Sequence, residues 1–127
     1  MDVWLIYLWS LIGPFGLVLI LRLLPLGILL EEVFKGMLVI WLVKSDRRAT
    51  VLAALGIGLA YGFSELVLYG LNYWPTGAFV AGLGRLLLTV PMHGLTTMLW
   101  WLGAKNGKFW LGAAAALALH LAFNLVV

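Results

Sequence analysis

Apolar residues run along this chain in five long stretches, near residues 3–24, 26–43, 49–73, 77–103 and 109–127, separated by four short breaks rich in polar residues, Pro or Gly. The stretches lack the period-2 alternation of a barrel strand, and backbone in contact with lipid must satisfy its own hydrogen bonds, so the pattern predicts helices. Each is close to the roughly 20 residues that cross a hydrocarbon core of about 30 Å. The expectation is an all-α, multi-pass transmembrane bundle of about five helices, one domain over residues 1–127, with little chain left outside the bilayer. The first break rests on Pro25, which disfavours helix at the residue before it.

Composition agrees. Of 127 residues 65% are hydrophobic, against eight Lys/Arg and five Asp/Glu, and the mean hydropathy is +1.11; a soluble domain has about a quarter of its residues charged. Cysteine is absent, which excludes disulfides, Cys-ligated zinc and thiol catalysis. A net charge of +3, scattered along the chain, excludes a nucleic-acid partner. Asp2 stands where a signal peptide would be positive, so Met1 onward reads as mature protein. Lys44, Arg47 and Arg48 with Asp46 fill the second break, Lys105 and Lys108 the fourth, and the turn from Asn72 to Gly77 has no charge. The positive-inside rule then puts the N-terminus inside and the C-terminus outside a cell membrane, with Arg22 the cation assigned to the outer side. Gly58 and Gly62 form a GxxxG step, and Gly112, Ala113 and Ala116 line the last stretch, as in tightly packed membrane helices. The seven Trp fall mostly near span ends, as an interfacial belt does, and carry no catalytic weight on that basis.

A few polar residues lie inside the spans: Glu31, Glu32 and Lys35 in the second, Glu65 in the third, Arg85 and His93 in the fourth, His120 and Asn124 in the fifth. A charge at mid-bilayer costs about 2.5 to 3.5 kcal/mol on insertion scales, so these groups need partners or water. Glu31 and Lys35 are four apart and stack on one helix face in the favourable order. Glu32 is turned by about 100° from Glu31, so one carboxylate faces a cavity while the other anchors a neighbouring helix. Tyr61, Glu65 and Tyr69 form a stripe, with Asn72 close to the same face. His120 and Asn124 share a face and both donate toward one point. At about 1.5 Å per residue, Glu31, Glu65 and His120 lie roughly 7 to 12 Å below the outer boundary and His93 at about 24 Å. Pro91 offers a kink or tilt that would close this gap. For Lys35 and Arg85 a structural salt bridge is the favoured reading.

Glu31-Glu32-Val33-Phe34-Lys35 resembles the EExxK signature of the PrsW family of intramembrane proteases, relatives of the CAAX prenyl endopeptidases in the CPBP group. Tyr61 to Glu65, with Tyr69, is similar to that family's FxxxE motif, with Tyr61 in the Phe place and Leu66 where Asn often follows. Arg85 and His93-Gly94 with Gly103 resemble the third motif, and His120 to Asn124 the closing HxxxN. The motifs occur in family order from Glu31 to Asn124. The resemblance implies an intramembrane endopeptidase acting on a membrane protein or peptide. Glu31 would be the general base on water, Glu65 or His93 would orient the water or share its proton, and His120 and Asn124 would stabilise the oxyanion. Glu32 and Lys35 would hold the site, with Tyr69 and Arg85 in support. This chemistry needs no cofactor. A competing version places zinc on Glu31, His93 and His120; the metal-free version is preferred because the chain has no HExxH pair. Two other classes are a non-catalytic membrane scaffold of the same superfamily and a small proton-coupled transporter, the latter disfavoured by the lack of an internal repeat.

Overall fold

The computed structural model describes residues 3–21, 26–46, 48–77 and 79–127. Asp2, Arg22, the Pro25 break and Arg47 lie outside the described residues, as does the side chain of Asn72. The apolar stretches form α1 (Val3–Leu21), α2 (Gly27–Ser45), α3 (Val51–Tyr73), α4 (Phe79–Lys105) and α5 (Phe109–Val126), with a 3₁₀ turn, Trp74–Thr76, between α3 and α4. No strand occurs among the described residues. Helix ends fall within a few residues of the expected spans. α2 and α4 run slightly further than expected, which puts Lys44 and Lys105 in their last turns, where a cation meets the negative end of the helix dipole. Thr50 caps α3 by accepting a hydrogen bond from the Ala53 amide. Gly77 and Gly107, at φ of 70° and 66°, supply the left-handed residue that each of the two hairpin turns requires.

Two segments are long and apolar enough to cross a membrane by length and composition, Val51–Thr76 and Phe109–Val126; the described apolar part of α1, Val3–Val18, is shorter. The expectation of five is met by these two alone on that criterion. α2 carries Glu31, Glu32 and Lys35 at buried positions, where its neighbours absorb their polarity.

The helices are inside-out relative to a water-soluble bundle. Glu31, Glu32, Lys35, Glu65, His93, Thr96, Thr97 and His120 are buried, while Trp4, Leu52, Phe63, Val80, Leu95, Trp110 and Leu125 are exposed. α3 packs most extensively on α4, α4 also on α5, and α1 on α3, and α2 touches all four of the other helices. An apolar cluster of Ile6, Leu38, Leu42, Ala49, Ala54 and Ile57, with Val3 against it, ties the start of α1 to the α2–α3 turn. A second, of Val39, Trp100 and Ala116 with Val43 and Phe109, ties the end of α2 to the start of α5. The two cationic turns and the start of α1 therefore lie at one end of the bundle.

The GxxxG step is the α3–α4 seam. A Cβ on Gly58 would fall 2.7 Å from Gly94 Cα and closer still to the His93 carbonyl, and one on Gly62 would fall 2.8 Å from Val90 Cα. These contacts set the antiparallel register of the two helices. α4 runs unbroken through Pro91, which is exposed.

Candidate active site

Glu32, on α2, is the hub. Its Oε1 accepts from Lys35 Nζ at 2.5 Å and from His120 Nδ1 at 2.7 Å, and its Oε2 accepts from Trp100 Nε1 at 2.9 Å. A carboxylate is an acceptor only, so His120 Nδ1 carries the proton in that bond. Lys35 is fully buried, at 0% exposure, and all three of its donors are used: Glu32, Thr96 Oγ1 at 2.7 Å and His93 Nδ1 at 3.0 Å. The Thr96 hydroxyl in turn donates to the His93 carbonyl at 3.1 Å. The expected Glu31–Lys35 pair is thus replaced by Glu32–Lys35. Positions three apart are neighbours on a helix as well as positions four apart, and Glu32 is the one that also meets Trp100 of α4 and His120 Nδ1 of α5.

Accepting from Lys35 at Nδ1 fixes the tautomer of His93: the proton is on Nε2, which donates to Glu65 Oε2 at 2.5 Å. His93 lies behind Glu65 at 0% exposure with both nitrogens engaged. Of the two groups expected to orient the water or share its proton, Glu65 is the one on the cavity wall. The depth gap that Pro91 was expected to close is bridged by side-chain direction. In the register set by Gly62 and Val90, Glu65 and His93 are about six residues apart, roughly 9 Å along the axis. Helix side chains lean toward their own N-terminus, so on antiparallel helices these two lean toward each other.

Glu31 is one residue from the hub and points elsewhere. Its Oε2 lies 3.6 Å from His120 Nε2. The rings of His93 and His120 stand edge to face with centroids 5.2 Å apart, and Tyr61 packs 5.1 Å from His93. A cavity of about 260 Å³ between α3, α4 and α5 reaches Glu65 and is lined also by Tyr69, Arg85 and Asn124. Asn124 is exposed and lines the cavity one turn outward of the buried His120, whose imidazole is held by Glu32. Arg85, expected in a salt bridge, is exposed and makes no ion pair among the described residues.

Glu31, His93 and His120 each offer a ligand atom, all within 4.8 Å of one another, as a small cation needs. Glu31 and His120 Nε2 offer lone pairs as they stand, whereas His93 Nε2, bonded to Glu65, would have to give up its proton to an ion.

Sequence reasoning missed Trp100 and Thr96. Both lie on the His93 face of α4, seven and three residues on, the helical spacing that could have found them. No family model, curated protein or solved structure matches this chain.

Proposed function

We propose that this protein is a multi-pass membrane peptidase that cleaves a peptide bond of a membrane-embedded substrate with a water activated by Glu31. One observation carries the reading: helices far apart in sequence bring three carboxylates and two imidazoles together, beside a cavity that ends on Glu65 and Asn124. The order of the motifs resembling PrsW-type proteases agrees with it. Apolar side chains exposed on all five helices fit a lipid surround, and both cationic turns at one end fit an N-in, C-out orientation in a cell membrane.

Water held between Glu31 and Glu65 attacks the carbonyl carbon, and Glu31 takes its proton as the C–O bond forms. Asn124 donates to the resulting oxyanion. His120 joins it only when Nε2 is protonated, because Nδ1–H is committed to Glu32; the proton reaches Nε2 from Glu31, 3.6 Å away. Collapse breaks the C–N bond and returns that proton to the leaving amine, giving a carboxylic acid and an amine. Glu65, held by His93, orients the water; Glu32, Lys35 and Trp100 hold the imidazole.

The test is cleavage of single-span peptides in liposomes by wild type and Glu31→Gln. The expected result is hydrolysis by wild type, a loss of about 10² to 10⁴ in the variant, and no effect of chelators. Absence of cleavage by wild type across a broad substrate panel overturns the proposal, and stoichiometric zinc at the His residues overturns its metal-free form.

A further inference from the structure

The cavity that ends on Glu65 also holds an open cation. Lys35 has all its donors engaged inside the bundle, whereas the exposed guanidinium of Arg85 lines the cavity with Tyr69, Tyr73 and Asn124. The carboxylate that shares the cavity, Glu65, has Oε2 committed to His93. The other polar groups of the lining, two phenols, the Thr89 hydroxyl and a carboxamide, bring no negative charge. Arg85 is permanently charged and presents its donors as a planar fork that matches a carboxylate. Arg85 makes no ion pair among the described residues, and on the membrane reading such a cation is expensive unless something occupies its fork.

We propose that Arg85 is a carboxylate anchor for the bound peptide and so determines which substrates the site accepts. The inference rests on the peptidase reading and names its substrate class. Arg85 lies two turns outward of His93, about 12 Å along α4. An extended chain rises about 3.3 Å per residue, so a carboxylate held at Arg85 sits within about four residues of a bond presented at Glu65. That carboxylate is either an Asp or Glu side chain or the C-terminus of the substrate, since both offer the same pair of oxygens.

The experiment uses the full chain in zwitterionic liposomes and paired single-span peptides: Glu against Gln within four residues of the cut, and a free C-terminus against its amide. One pair is expected to show at least about tenfold higher kcat/KM for the carboxylate member, the scale of a charge-assisted hydrogen bond; the pair that does so identifies the source. Arg85→Gln brings that ratio to about one, Arg85→Lys keeps part of it, and Arg85→Glu turns the preference toward a Lys-bearing peptide. Equal cleavage of both members of each pair by wild type overturns the anchor, leaves the peptidase reading standing and assigns Arg85 to lipid headgroups. Binding of the same peptides to Glu31→Gln, with and without Arg85→Gln, separates the two ideas: carboxylate-selective, Arg85-dependent binding with no cleavage by wild type supports the anchor and sinks the peptidase.

Discussion

The inner and outer halves of the polar cluster differ in one respect, and Glu31 and Glu32 mark the border between them. Around Glu32 and Lys35 every ammonium donor is taken and both carboxylate oxygens accept, with partners from α2, α4 and α5. Around Glu31 and Glu65 the groups are buried but less committed, with a 3.6 Å approach to His120 and a cavity on the far side. A saturated network in a low dielectric rigidifies and is costly to break; an under-committed one has valence left for water and substrate. On the proposed peptidase reading the site rests on the first and reacts through the second.

Lys35→Met strikes the inner half and should have the largest effect. It leaves Glu32 charged and short of its ion pair, at a cost of about 3 to 5 kcal/mol, and unfolding in detergent micelles measures it; a change under about 1 kcal/mol would show that the inner half is not structural. Glu31→Gln strikes the outer half and should separate the two, holding the unfolding midpoint within about 0.5 kcal/mol of wild type while hydrolysis falls as described above. If it destabilises as much as Lys35→Met, the two halves are one structural unit and the distinction fails. Gly58→Ala acts on the seam between them. Its Cβ meets the backbone of α4 at His93 and Gly94, which cannot rotate away, so about 1 to 3 kcal/mol of stability should be lost together with the Glu65–His93 bond, read as a change in the His93 ring ¹⁵N shifts. Smallest is Trp100→Phe, which removes one donor from Glu32. It should cost about 0.5 to 1.5 kcal/mol, and equal stability to wild type would mean that water replaces the indole.

Much of this was legible in the chain. Four breaks and the hydropathy between them predict five helices to within a few residues, because a backbone that cannot bond to solvent has one economical local solution. Gly58 and Gly62 were readable as a packing step for the same reason, since nothing but close approach requires two small residues one turn apart. The members of the site were legible as a set, as charges and imidazoles in apolar runs stand out by cost. Their partners were not. Glu31 and Glu32 are chemically identical, and which of them takes Lys35 depends on where α4 and α5 lie, not on spacing within α2. Trp100 reads as an interfacial anchor until Glu32 is seen 2.9 Å from its indole nitrogen, and Arg85 reads as half of a salt bridge until it is found on a cavity wall.

The amino-acid order by itself determined the number of helices, the end of the bundle that carries the cations, and the short roster of polar side chains that need burial. Tertiary structure decided who bonds to whom. Local hydrogen bonding and hydrophobicity act over a few residues and are written in the order of the chain. The tautomers of His93 and His120, the saturation of Lys35 and the openness of Glu31 come from groups 58 to 88 residues apart in sequence, whose meeting depends on register and on the direction in which side chains lean from antiparallel helices.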